Sequence, residues 1–130
     1  MEFELNGHAY VVGPMDVFTQ LQIARKFVAT STVIGTLMDE KNKDKDTTLL
    51  VTVLLSYLSD EDSDFVVRKC LSVVSRRDGD KYAKVMSAGG LMYSDIGLSE
   101  MLGITKAVVV GVLGDFFGTA LANLEGAAEN

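Results

Sequence analysis

Cysteine and histidine are almost absent from this chain of 130 residues, since each occurs once, as Cys70 and His8. A single cysteine cannot form an internal disulfide, and one cysteine with one histidine excludes the usual Cys/His zinc sites. A Ser-His-Asp triad would depend on His8, which follows a predicted turn and has no Ser, Cys or carboxylate pair beside it. Cys70 lies on the apolar side of a predicted helix, where a buried thiol ionises poorly. We therefore expect an exposed histidine, a structural cysteine, no catalytic residue, no metal and no cofactor.

The chain also lacks a basic excess and a long apolar run. It has 18 Asp and Glu against 12 Lys and Arg, and its net charge of -6 has the wrong sign for binding phosphates. Residues 107–122 are the most apolar stretch, but Asp115 and three glycines interrupt it, so it falls short of the roughly 20 apolar residues of a membrane helix. The N-terminus begins acidic, and no apolar segment follows it. We expect no nucleic-acid partner, no membrane span and a cytoplasmic location.

The composition is that of an ordinary folded domain. Hydrophobic residues make up 48% and charged residues 23% of the chain, and 130 residues suit one hydrophobic core. We predict a single domain over residues 1–130. Residues 39–46 contain no apolar side chain and are predicted to form a flexible charged loop, and residues 125–130 are predicted to fray.

The first elements are predicted to be a hairpin and a helix. Residues 3–12 alternate apolar and polar side chains around Asn6-Gly7, the strongest short-range signal for a type I′ turn, so we predict a β-hairpin over residues 1–13. Asp16 is placed to cap a helix that begins beside it. The predicted inner face of that helix repeats at helical spacing: Val17, Leu21, Ala24 and Val28.

Three further helices are predicted from apolar spacing. Residues 49–58 form the second, although their β-branched content leaves a strand open as an alternative. Ser59 and the acidic residues after it begin the third, whose apolar stripe is Val67, Cys70, Leu71 and Val74. Residues 99–124 form a long, glycine-dotted last helix.

The remaining residues are predicted to lack regular structure for the most part. Residues 76–80 are assigned to a turn, and residues 81–96 to loops that hold at most two small strands. The predicted fold class is therefore mainly α (α+β), a helical domain with a short N-terminal β-hairpin.

Two charged or glycine-rich clusters have functional alternatives. The carboxylates of residues 60–64 could bind Ca²⁺, but the spacing and the glycine of an EF-hand are missing, and helix capping explains them better. Ala88-Gly89-Gly90 lacks the lysine and the hydroxyl of a phosphate-binding loop. We assign neither a metal site nor a nucleotide site.

Six short segments carry a family resemblance. They are FELNGHAY (3–10), MDVFTQ (15–20), IARK (23–26), CLSVV (70–74), LMYSDI (91–96) and GDFFG (114–118). Together they resemble the tail assembly chaperones of long-tailed bacteriophages, over most of the chain. The charged segment 39–46 departs from the family pattern, and the shared motifs are structural rather than catalytic.

The resemblance implies a non-catalytic protein that binds helical segments of the tape measure protein and keeps that protein soluble while the tail assembles. It implies action in the host cytoplasm and absence from the mature virion. Exposed apolar faces also leave self-association open. Alternatives are a structural tail or neck component that stays in the virion, a small helical protein-binding domain, and, as the weakest class, a small enzyme.

The last helix supplies the predicted protein-binding residues. Its apolar side chains cover more than the stripe of roughly 100° that a helix buries against one core. The surplus predicts an interface at four residues: Val109, Val112, Phe116 and Phe117. The alternative is a central helix that its own domain buries on all sides.

Overall fold

The computed structural model describes residues 1–27 and 48–114, together with Phe116. Among these residues, 53% are helical and 24% lie in strands. The elements in chain order are β1 (Glu2–Leu5), β2 (His8–Val12), α1 (Val17–Phe27), α2 (Thr48–Ser56), α3 (Asp60–Ser72), β3 (Val74–Asp78), β4 (Lys81–Lys84), β5 (Met86–Ser87), β6 (Gly90–Leu91) and α4 (Leu98–Val108). A π-helical segment, Val109–Leu113, continues α4. The predicted loop at 39–46, the predicted tail at 125–130 and Phe117 lie outside the described residues.

The expectation of a mainly helical domain with one hairpin is wrong, because the fold is mixed. Strands β1, β2, β3 and β4 form an antiparallel sheet in that order, and β5 pairs with β6 in a second sheet. The error lies in residues 76–80, where only Gly79 and Asp80 turn the chain. Val74 and Arg76 alternate with exposed or half-buried neighbours along β3, which is the period of a strand. The alternation was not recognised in the sequence because one of its buried positions is an arginine, Arg76.

The N-terminal hairpin agrees with the prediction from Asn6-Gly7. Both turn residues have positive φ, 53° for Asn6 and 81° for Gly7, as a type I′ turn requires. Phe3 pairs with Tyr10 across the hairpin, and their rings stack with centroids 5.3 Å apart. This side of the hairpin faces the core, where Tyr10 is fully buried.

Helix α1 begins as predicted but buries only part of the predicted face. The Asp16 carboxylate accepts hydrogen bonds from the backbone N–H groups of Phe18 at 3.1 Å and Thr19 at 3.2 Å. Val17 and Leu21, predicted to face inward, are exposed. The buried side chains are Ile23, Ala24 and Phe27. Ile23 and Phe27, at spacing i, i+4, enter the core with Ala24 of the predicted face, whereas Val17 and Leu21 remain as an apolar surface. Val28, the fourth predicted residue, lies outside the described residues.

Helix α3 has the predicted cap, and its acidic first turn is used locally. Ser59 Oγ accepts a hydrogen bond from the Asp62 backbone N–H at 3.1 Å. Lys26 Nζ of α1 lies 2.7 Å from Asp62 Oδ1, and this lysine lowers the pKa of the Asp62 carboxyl. The bond joins the end of α1 to the start of α3, so Asp62 serves an ion pair between the two helices. Asp60 and Glu61 lie in the first turn of α3, where acidic side chains favour the helix.

One core lies between the sheet and the helices. Its fully buried members come from both layers, including Tyr10, Ile23, Phe27, Val66, Val74 and Val108. Helix α4 packs on α2, α3 and β1. Within the described ranges, no helix has the length and apolar character needed to cross a membrane.

Candidate functional site: an apolar groove

A groove of about 780 Å³ lies between α2, α3, the β5–β6 hairpin and the start of α4. Its apolar lining comes from all four walls: Leu55, Leu58, Val67, Leu71, Met86, Leu91, Leu98, Met101 and Leu102. Leu98 is 70% exposed and Leu91 42% exposed, so the groove is open to solvent. Exposed leucines beside a concave apolar surface are typical of a site that receives another apolar surface.

The β5–β6 hairpin forms a wall that α3 holds in place. Its turn residues, Ala88 and Gly89, have φ values of 52° and 81°. Arg68 of α3 donates from Nη1 to the carbonyl oxygen of Gly89 at 2.6 Å. The same guanidinium donates from Nε to both oxygens of Asp64 at 2.9 Å. Arg68 therefore fixes the tip of the hairpin beside the groove.

Glu100 holds the opposite wall, the first turn of α4, to the sheet. This carboxylate is only 6% exposed. It accepts a hydrogen bond from Asn6 Nδ2 at 2.9 Å and another from the Tyr10 hydroxyl. Burial and the bond to Glu100 raise the pKa of Tyr10, so the phenol keeps its proton and remains a donor. These bonds position Leu98, Met101 and Leu102 at the groove.

Arg76 fixes the segment that joins the hairpin to α4. Its guanidinium donates to both carboxylate oxygens of Asp95, at 2.9 and 2.8 Å, and lies 4.4 Å from the centroid of the Tyr93 ring. This pairing lowers the pKa of Asp95 to about 2 and raises the pKa of Arg76. The His8 ring nitrogens lie 2.8 and 2.9 Å from Arg76 Nη2, so His8 is less exposed than predicted.

Residues 6–125 match the family model described as phage tail assembly chaperone protein, TAC. The chain belongs to this phage tail assembly chaperone family. The match confirms the resemblance read from the six segments, and it includes every element that lines the groove. No curated protein and no solved structure matches the chain.

Three of the four residues predicted to bind protein are described in this chaperone, and they differ in burial. Val109 is buried, Val112 is half-buried and Phe116 is 57% exposed. Phe117 lies outside the described residues. None of the three described residues lines the groove.

Cys70 is the buried, structural thiol that its position on the apolar stripe predicted. It is fully buried, and burial raises the pKa of its thiol to about 12. Within residues 1–27 and 48–114, no group of three or more Asp, Glu, His or Cys side chains could hold a metal ion.

Sequence reasoning missed Arg76, Asp95 and Glu100. A signal for Arg76 was available, because Gly79-Asp80 is a two-residue hairpin turn with glycine first and the residues before it alternate. No local pattern indicates the bonds from Tyr10 to Glu100 or from Arg76 to Asp95, since these partners are 90 and 19 residues apart in sequence.

Proposed function

We propose that this chaperone binds helical segments of the tape measure protein, without catalysing a reaction, and keeps that protein soluble during tail assembly in the host cytoplasm. The open apolar groove carries the proposal. An amphipathic helix binds such a groove by inserting side chains spaced three and four residues apart. The walls supply leucines for burial, and the fixed hairpin and α4 keep the groove formed before the partner arrives.

Two methionines make the groove suitable for more than one segment. Met86 stands on the hairpin wall and Met101 on the α4 wall. Methionine is unbranched and polarizable, and it adapts to irregular apolar surfaces. A chaperone of a long helical protein must accept different segments of similar character, and such side chains meet that requirement.

Further apolar surface surrounds the core of the fold. Val17, Phe18 and Leu21 form an exposed face on α1, and Leu49 and Val53 of α2 are exposed together with Tyr57 in the turn after it. The net charge of -6 favours solubility of a complex that carries such surfaces. In the proposal, the interface predicted on the last helix adds to the groove through its exposed member, Phe116.

Co-expression with the tape measure protein tests the proposal. The chaperone should keep that protein in the soluble fraction and co-purify with it. Leu98→Glu places a charge in the groove at a helix N-terminus, where an acid favours the fold, and should reduce recovery of the complex at least about tenfold.

Val17→Glu is the matched control, since Val17 is 68% exposed on α1 and lies outside the groove lining. If Leu98→Glu and Val17→Glu both leave recovery of the complex at the level of the parent chain, binding belongs to another surface. Detection of the chain in purified virions would favour the structural tail or neck component instead.

A further inference from the structure

The four-stranded sheet ends in edge strands of opposite charge. β1 carries Glu2 and Glu4, and β4 carries Lys81 and Lys84; all four residues are exposed. Within the described ranges, no strand pairs with the outer edge of β1 or β4, and none of these four side chains forms an ion pair. A bare strand edge is a template for another strand.

The turns determine which backbone groups each edge presents. Two-residue turns close both hairpins after the pairs Leu5–His8 and Asp78–Lys81, and the pair beside such a turn is hydrogen-bonded within the hairpin. Hydrogen-bonded and non-hydrogen-bonded pairs then alternate. The N–H and C=O groups of Glu2 and Glu4 therefore point away from β2, and those of Tyr82 and Lys84 point away from β3.

The two edges fit each other in direction and register. Because all four strands are antiparallel to their neighbours, β4 runs opposite to β1. If a second copy continues the sheet, its β1 lies antiparallel to β4 of the first. Setting Glu2 opposite Lys84 places Glu4 opposite Tyr82, and the outward backbone groups of both strands then meet.

The side chains agree with that register. Glu2 and Lys84 belong to one cross-sheet row, so they lie on the same face of a continued sheet, with opposite charge. On the other face Phe3 meets Ala83, which is small and exposed and leaves room for the helix that covers β1 of the next copy. Pairing of β1 with β1 would instead oppose glutamates.

We propose that β4 of one copy pairs with β1 of a second copy, so that copies of this chain associate head to tail through one continued sheet. The contact is heterologous, so an open assembly keeps one free β1 edge and one free β4 edge until it closes into a ring. Four residues on each side make a small interface, and the association is weak and reversible. This inference does not depend on what the groove binds.

Analytical ultracentrifugation of the whole chain over a concentration series tests the proposal. The average mass should rise with concentration. Glu2→Lys and Lys84→Glu each oppose like charges and should raise the dissociation constant roughly tenfold. Tyr82→Pro removes an outward N–H that the hairpin does not use, so it should weaken association while circular dichroism stays unchanged.

Charge exchange provides the decisive comparison. The double variant Glu2→Lys/Lys84→Glu should associate like the parent chain. An equal mixture of the two single variants should regain the association that each variant loses alone, because both kinds of junction between unlike variants place a lysine opposite a glutamate.

Glu61→Lys and Lys69→Glu, which reverse exposed charges on α3, are the matched controls and should leave association unchanged. A parent chain that stays monomeric over the whole series, or edge variants that behave like these controls, would overturn the proposal.

Discussion

Arg76 and Asp95 form a two-bond ion pair that ties β3 to the segment leading into α4, with N–O distances of 2.9 and 2.8 Å. Arg76 is buried at 7% exposure, whereas the Asp95 side chain is 52% exposed. The arginine therefore belongs to the core and the carboxylate closes over it from the surface. Because that segment connects two walls of the groove, the pair couples the stability of the fold to the shape of the candidate site.

The first prediction concerns pH. The folded pKa of Asp95, about 2, is below the ordinary value of an unfolded aspartate, so its stabilising effect is complete above that ordinary value and is lost as the pH falls towards 2. Asp95→Asn should remove part of the decrease in unfolding free energy between about pH 5 and pH 2, measured by urea titration. Asp80→Asn, in an exposed turn, is the control. Parallel pH profiles for Asp95→Asn and the parent chain would contradict the prediction.

The second prediction concerns the Tyr10 hydroxyl. Tyr10→Phe leaves the buried Glu100 carboxylate with Asn6 as its remaining hydrogen-bond donor among the described side chains. Losing a hydrogen bond to a buried charged group costs about 1.5–3 kcal/mol, so the urea midpoint should fall accordingly. Tyr82→Phe makes the same chemical change at a residue that is 44% exposed and should change stability by less than about 0.5 kcal/mol. A Tyr10→Phe variant as stable as Tyr82→Phe would show that other interactions of Glu100 compensate for the lost hydrogen bond.

The third prediction concerns the hairpin wall. Ala88 has a φ of 52°, in the left-handed region, which costs a residue with a Cβ roughly 1–2 kcal/mol. Asparagine tolerates this region and is favoured in such two-residue turns. Ala88→Asn should therefore raise the unfolding free energy by about 0.5–1 kcal/mol, read from thermal unfolding. Ala83→Asn, in a strand, is the control and should give no gain; an equal gain there would remove the explanation by backbone strain.

Local signals in the sequence predicted local structure well. Asn6-Gly7, Asp16 and Ser59 each act within a few residues, through turn geometry or capping, and each behaves as predicted. The sheet was missed because β3 pairs with β2 across some 60 residues of chain, as in Tyr10 with Arg76, and because a charged residue occupies an inward position of β3. Arginine can occupy that position since Asp95 and Tyr93 meet its guanidinium, and periodicity in hydropathy does not report such a partner.

The groove follows the same logic. Its leucines and methionines are visible in the sequence, but periodicity assigns them to separate helices and does not show that α2, α3 and α4 leave a space between them. Helix α1 gives a second example, because hydropathy does not distinguish its two apolar faces. Ile23 is buried in the core, whereas Leu21 is 55% exposed. Tertiary packing decides which apolar residues of a helix are buried and which remain exposed.

The last prediction concerns the C-terminal helical region. Val109 is 3% exposed and Phe116 57% exposed, although both were predicted to form one binding surface. Val109→Asp buries an unpaired charge and should destabilise the fold by at least about 3 kcal/mol. Phe116→Asp places its charge at an exposed position and should leave the unfolding free energy within about 0.5 kcal/mol of that of the parent chain.

If Phe116 belongs to the binding surface, Phe116→Asp should nevertheless weaken recovery of the tape measure protein in the co-expression assay, because an interface side chain contributes to the complex and little to the lone chain. A stable Phe116→Asp variant with full recovery would exclude Phe116 from the interface, and an unfolded one would show that its side chain stabilises the fold of the chain itself.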